Sequence, residues 1–261
     1  MKQSMMASLL VLAMAQTIVS CVSCGYTKTS MFEVDGPQVT QVRPIKGFEK
    51  IEVIGSPTVY YTQADTFSVR VEGPEDMVDK IVTTVDDGTL TIRNKGKIGM
   101  FNISLGDMNK LSVKVSSPDL IGVVVSGSGD FFSSRTVDTD EMQISLRGSG
   151  DISFERIICD HCVTELVGSG DISIDRLESQ TSDASLIGSG DIQIRQWNVD
   201  DTDVSLRGSG DITIDFVEGC RKVSCHLAGS GDVDLKGRVK SMSKHKNGSG
   251  DIDTDQLMIE R

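Results

Sequence analysis

The tetrapeptide Gly-Ser-Gly-Asp occurs seven times in this chain, ending at Asp130, Asp151, Asp171, Asp191, Asp211, Asp232 and Asp251. These aspartates lie 21, 20, 20, 20, 21 and 19 residues apart. A fixed period near twenty is the mark of a solenoid, in which each repeat is one coil that cannot bury its apolar face alone. Fourteen of the 26 glycines fall in these motifs, so the glycine excess is a pattern and not a flexible linker. Between the motifs the hydrophobic period is two. In Asp203–Asp215, Val204, Leu206, Gly208, Gly210, Ile212 and Ile214 share one parity, and Ser205, Arg207, Ser209, Asp211 and Thr213 share the other. The same alternation runs through Ala184, Leu186, Gly188, Gly190, Ile192 and Ile194, and through Ile144, Leu146, Gly148, Gly150, Ile152 and Phe154. Apolar side chains therefore face inward, with both glycines of each motif on that side.

The expected turn is built by Gly148-Ser149-Gly150, Gly168-Ser169-Gly170, Gly188-Ser189-Gly190 and Gly208-Ser209-Gly210. At each bend glycine removes a side chain that would meet the core and admits backbone angles closed to other residues. Ser and Asp point outward. A further apolar residue follows about six positions after the Asp: Ile157, Leu177, Trp197, Val217 and Leu257. Each coil then offers roughly five inward apolar groups on about three short strands, stacked in parallel ~4.8 Å apart with like residues over like. An antiparallel sandwich has no reason to reuse one corner at constant spacing. A left-handed hexapeptide helix needs a period of six, and a nonapeptide calcium roll a much shorter repeat. The fold class is all-β, a right-handed parallel β-helix of about 20 residues per coil.

One domain is expected over 41–261, with irregular coils at 41–110 and regular ones at 111–261. The coil that begins at Asp232 spans 19 residues and carries Lys244 and Lys246 where its neighbours carry aliphatic residues. Either its register shifts around Met242 or it is frayed, and its charges protect an open end against edge pairing.

Residues 1–20 form an export signal: Lys2 supplies the positive start, and Met5–Val19 an apolar stretch short for a bilayer span. Ile18-Val19-Ser20-Cys21 resembles a bacterial lipobox. The resemblance implies cleavage before Cys21 and a diacylglycerol on its sulfur; the alternative is ordinary secretion with a free Cys21 thiol. Cys24 is a poorer acceptor, and residues 21–40 comprise the lipidated Cys and a polar tether.

Stacked coils would bring Asp151, Asp171, Asp191 and Asp211 into a carboxylate ladder, a weak candidate for calcium. Calcium takes six to eight oxygens, and one outward Asp per coil supplies few, so Asp capping of corner N–H groups is the structural reading. Cys159 and Cys162, with Cys220 and Cys225, suggest local disulfides or buried thiols; a shared zinc site is opposed by the roughly 14 Å between coils three apart. His161, His226 and His245 fall in different coils without a nucleophile–base spacing. Arg147 and Arg207 occupy equivalent outward positions, with Val167 and Ile187 between them. A net charge of −12 argues against nucleic acid.

With its recurrent GSGD coils, and with Gly47–Lys95 matching an opening segment of strand, β-rich stretch, brief helix at Pro74–Ile81 and strand at Thr89–Arg93, the chain resembles the auto-transporter adhesin head domain family of Bacteroidetes envelope proteins. The resemblance implies a right-handed β-helix shaped like pectin lyases but without their catalytic residues. It points to a non-enzymatic outer-membrane lipoprotein of the cell envelope, facing periplasm or cell surface. It would be held to the membrane by its lipid, need no cofactor, and present a β-helix surface to a protein or glycan ligand of unknown identity. The alternatives are a lyase-like polysaccharide enzyme on the same scaffold and a purely structural envelope module.

Overall fold

The computed structural model describes residues 37–96 and 111–260. The strands are β1 (Gln38–Arg43), β2 (Lys50–Gly55), β3 (Thr58–Gln63), β4 (Ser68–Pro74), β5 (Ile81–Asp86), β6 (Thr89–Asn94), β7 (Ser112–Ser117), β8 (Gly122–Gly127) and β9 (Asp130–Asp138). They continue as β10 (Glu141–Gly148), β11 (Asp151–Gly168), β12 (Asp171–Gly188), β13 (Asp191–Trp197), β14 (Val199–Gly208), β15 (Asp211–Gly229), β16 (Val233–Gly248), β17 (Ile252–Asp253) and β18 (Leu257–Ile259). One short helix, α1 (Glu75–Val78), follows β4 and buries Met77 and Val78. Acidic Glu75 and Asp76 suit its first turn, where free N–H groups point outward.

The regular part is a β-solenoid with a spacing of about 20 residues. β11 lies parallel on β12 in three segments: Asp151–Phe154 on Asp171–Ile174, Ile157–Cys159 on Leu177–Ser179, and His161–Gly168 on Thr181–Gly188. Strict alternation holds within each segment and breaks at the two corners between them. Buried positions step by three, from Phe154 to Ile157 and from Cys159 to Cys162, so the inward set is Ile152, Phe154, Ile157, Cys159, Cys162, Thr164 and Leu166. One apolar core runs from Phe48 to Ile252.

Two inward assignments fail, for a common reason. Leu177 pairs with Gln196, and Glu178 with Trp197, because the coil of β13 is one residue shorter at its first corner. It regains the residue at Asn198, which adopts a left-handed φ of 56°. Trp197 therefore turns outward and Gln196 goes inside, where its amide donates to Ser182 Oγ at 3.0 Å and accepts from Thr202 Oγ1 at 2.9 Å. In β15 Phe216 stands over Gln196 across the same short first corner and so goes inside, while a bulge that follows, between Phe216 and Cys220, takes up half-buried Val217. Ile157 and Leu177 are buried as expected, and Leu257 packs against the core from its rim.

The same bulge explains the 19-residue coil. Phe216 to Cys220 pairs with Gly237 to Val239, and from Val223 on Met242 the register runs unbroken to Gly229 on Gly248. The coil neither shifts at Met242 nor frays. Lys244 and Lys246 stand directly over Cys225 and Leu227 and are exposed, a charged lid on the last full rung. Lys246 Nζ reaches Asp251 Oδ1 at 2.6 Å.

At the other end β2 and β3 insert between later strands: β2 lies between β6 and β8, and β3 between β7 and β9, all parallel. β4 and then β1 add antiparallel to β7, and β5 adds antiparallel to β6 through the Asp87-Gly88 turn. Both turn residues have positive φ, which suits a tight hairpin. The insertion creates an eighth corner that lacks the motif: Gly55 sits under Gly127 and Thr58 under Asp130, with Ser56 and Pro57 between them.

The corners form a column, but the glycines act differently from expectation. A methyl on Gly190 would lie 1.9 Å from the carbonyl oxygen of Gly170, and one on Gly188 2.1 Å from that of Gly168. The excluded side chain would strike the backbone of the preceding coil, not the core. The first glycine of each motif holds a positive φ of 126–150° and is half-buried, except Gly248 at the open end, which is exposed; the second is buried. Gly190→Ala should therefore cost about 3 kcal/mol in chemical denaturation, whereas Ser189→Ala should stay within about 0.5 kcal/mol of the parent. Equal costs would remove the backbone-contact explanation.

Candidate functional site

Each corner is a hydrogen-bond clamp on the coil before it. The carbonyl of Gly168 accepts from the N–H of Ser189 at 2.8 Å and of Gly190 at 3.2 Å, and the carbonyl of Gly188 does the same for Ser209 and Gly210. The third N–H of the corner is met by a carboxylate. Asp151 N–H donates to Asp130 Oδ1, Asp171 to Asp151, Asp191 to Asp171, Asp211 to Asp191, Asp232 to Asp211 and Asp251 to Asp232, at 2.7–3.3 Å. One oxygen of each Asp from Asp130 to Asp232 thus serves the next coil, and Asp251 Oδ1 is taken by Lys246 instead. Among the described residues no three His, Cys, Asp or Glu side chains are grouped to hold a metal ion.

Beside this ladder runs a second outward column. Tyr60 pairs with Phe132, Phe132 with Ser153, and then follow Ser173, Gln193, Thr213 and Asp234. The Tyr60 and Phe132 rings stack with centroids 5.5 Å apart, and Tyr60 is 47% exposed. Their neighbours Tyr61 and Phe131 stack inside at 6.0 Å. The Tyr60-Tyr61 and Phe131-Phe132 doublets carry this information in the sequence, since alternation sends one ring of each doublet out.

Across the corner, Arg147, Val167, Ile187 and Arg207 line up as one outward column, with Val167 and Ile187 43% and 46% exposed. On the third face Trp197 lies beneath Arg176 and Arg195, whose guanidinium carbons are 4.8 and 5.2 Å from its ring. Glu178 Oε1 accepts from Arg156 and Arg176 at 2.6 Å each. Partial burial alone would raise the Glu178 carboxyl, but the hydrogen bonds and charges of Arg176 and Arg156 hold it below its usual range.

Cys159, Cys162, Cys220 and Cys225 are buried, free thiols. Cys159 pairs with Ser179 and Cys220 with Val199, so filled rungs separate them and they share no site. Burial pushes the Cys225 thiol up to about 11 and raises Cys220 as well, so both are poor nucleophiles. His161 Nδ1 lies 2.6 Å from Thr181 Oγ1, and His226 and His245 are register partners with rings 6.1 Å apart. A cavity of about 530 Å³ on the same face is lined by Lys50, Asp140, Glu141 and His161 among others. Cys21, the expected lipid acceptor, and Cys24 lie outside the described residues.

The arrangement defines a class: a parallel β-helix whose outward side chains form parallel columns along flat faces. The chain belongs to the family described as "Putative auto-transporter adhesin, head GIN domain", whose model matches residues 47–219. Among solved structures it is similar to a "putative adhesin" from Bacteroides fragilis, at 25% identity and TM-score 0.68 over 83% of this chain and 96% of that one. A "putative lipid binding protein" from Parabacteroides distasonis is equally similar, at 25% identity and TM-score 0.68 over 84% and 98%. A "putative adhesin" from Parabacteroides merdae shares the fold at 18% identity and TM-score 0.65, over 84% and 98%. No curated protein matches the chain. Family and neighbours together mark an adhesin-like protein associated with the envelope or surface.

Two measurements probe the geometry. With one oxygen of each ladder Asp engaged, millimolar calcium should leave the melting temperature unchanged; a rise of several degrees would make the ladder a calcium site. For Glu178 the folded pKa is depressed, so its contribution is complete above the ordinary value of 4.5 and fades as pH falls through the lower folded value. Glu178→Gln should therefore melt below the parent at pH 7, with the gap closing towards pH 3; a gap independent of pH would mean that the Arg156–Glu178–Arg176 cluster acts only by packing.

Proposed function

We propose that the chain is a non-enzymatic lipoprotein of the cell envelope, anchored in the outer membrane through Cys21, and that it works as an adhesion module by offering a lateral β-helix face to a protein or glycan. The observation that carries this reading is the outward column from Tyr60 to Thr213, whose members stand one per rung and do not converge on a reacting point. Extended ligands suit such a surface, because every rung repeats the same spacing. The family and the adhesin-named neighbours agree with this, and the lipobox-like Ile18–Cys21 supports the anchor.

A second reading, contact with lipid, is favoured by one surface. Exposed Val167 and Ile187, with Arg147 and Arg207 above and below them, match an amphiphile with an anionic head. The neighbour named as lipid binding shares this fold.

In the source cells, labelling with a fatty-acid analogue should tag the full chain and fail on Cys21→Ser. Protease shaving of intact cells then assigns the side of the membrane. An unlabelled, freely soluble chain would overturn the anchor. Purified chain should give no turnover of acidic polysaccharides. Turnover abolished by Glu141→Gln, in the cavity shared with Lys50 and His161, would make it an enzyme.

A further inference from the structure

The column that begins at Tyr60 is uncharged over six successive rungs: Tyr60, Phe132, Ser153, Ser173, Gln193 and Thr213. Ion pairs close it at both ends. Lys114, the register partner of Tyr60, binds Glu72 at 2.7 Å, and Asp234, the partner of Thr213, binds Lys236 at 2.8 Å. The strip is about 24 Å long at ~4.8 Å per rung. The Asp130–Asp211 carboxylate ladder runs along one margin; the other carries Glu155, Asp175 and Asp215, with Arg195 on the rung before Asp215 and 3.6 Å from its carboxylate. Asp151, Asp171 and Asp191 spend Oδ1 on the next coil, which leaves Oδ2 as an acceptor at the strip's edge; Asp130 Oδ2 already accepts from Thr58 Oγ1. Tyr60, Ser153, Ser173, Gln193 and Thr213 add hydroxyl and amide groups that both donate and accept.

We infer that this strip binds a neutral oligosaccharide lying along the solenoid axis, with a sugar ring packed on the exposed Tyr60–Phe132 edge and its successors over Ser153, Ser173 and Gln193. The inference rests on the binding-face reading above and names its ligand. An aromatic surface at one end of a run of hydroxyl and amide groups matches the mixed apolar and polar faces of a pyranose. The rung spacing is close to the length that one hexose adds to an extended chain. Charge selects the class: flanking carboxylates and a net charge of −12 repel polyanions, so uronic-acid polymers and nucleic acids are excluded. Sugar hydroxyls donate to the free Oδ2 atoms without such repulsion.

The test titrates the purified full-length chain with maltohexaose, cellohexaose, mannohexaose and chitohexaose, and with polygalacturonate as the acidic control. At least one neutral hexasaccharide should bind and polygalacturonate should not. Tyr60→Ala should weaken binding about tenfold while the chain stays folded, its melting temperature falling by no more than the few degrees that the lost Tyr60–Phe132 stack accounts for. Gln193→Ala should weaken it too, while Val167→Ala on the other face should not. Failure of all four neutral sugars, preference for polygalacturonate, or full affinity in Tyr60→Ala would each overturn the inference. A chain that still adheres to cells while binding none of these sugars, and adheres equally well as Tyr60→Ala, would leave the adhesion reading intact and remove this ligand alone.

Discussion

Close approach of one coil's backbone to the next at the Gly-Ser-Gly-Asp corner is the contact on which the rest of the molecule depends. A carbonyl such as Gly168 receives two N–H groups from the following coil only because Gly188 and Gly190 carry no side chain there. The Asp carboxylate then takes the third, as Asp171 does for Asp191. A hydrogen bond to a charged group adds about 1.5–3 kcal/mol where it is shielded and less at an exposed corner such as this. Repetition is what matters, because every coil is held to the one before it at the same point. In a solenoid each coil contacts only its neighbours, so a fixed corner fixes the register of every column.

Register in turn sets what the faces display. Because Asp171 stands over Asp151 and Ser173 over Ser153, an outward residue type repeated in sequence becomes a continuous stripe in space. The molecule uses this on three surfaces: an uncharged aromatic and hydroxyl strip, an aliphatic pair between arginines, and a tryptophan beneath two arginines. The interior follows the same rule with more tolerance. A buried polar chain of Ser182, Gln196 and Thr202 crosses adjacent rungs because each member finds a partner in the next.

The coil period, the inward alternation and the outward Asp ladder were legible in the sequence, since all three depend on spacing alone. What escaped depended on local insertions and deletions. The rule of six residues from Asp to the next inward group holds for Ile157 and Leu177. It fails at Trp197 because the corner is shorter by one, and Asn198 restores the count only afterwards. The role of the glycines was half legible: their parity announced absent side chains, but not that the obstacle is the neighbouring backbone. The Gly55–Thr58 corner was hidden because Pro57 replaces a glycine at the foot of the column and because β2 and β3 stack out of chain order. The aromatic strip was hidden in two doublets that an inward-looking reading passes over.

Residue-resolved hydrogen exchange of the corner amides tests the central claim most directly. If the corners clamp successive coils, the N–H groups of Ser169, Ser189, Ser209, Asp171, Asp191 and Asp211 should exchange as slowly as those of the flanking strands, although these residues lie at the surface. Exchange of these amides at the rate of open loops, with the strands still protected, would show that the coils are held by their apolar interior and that the corner bonds do not hold them.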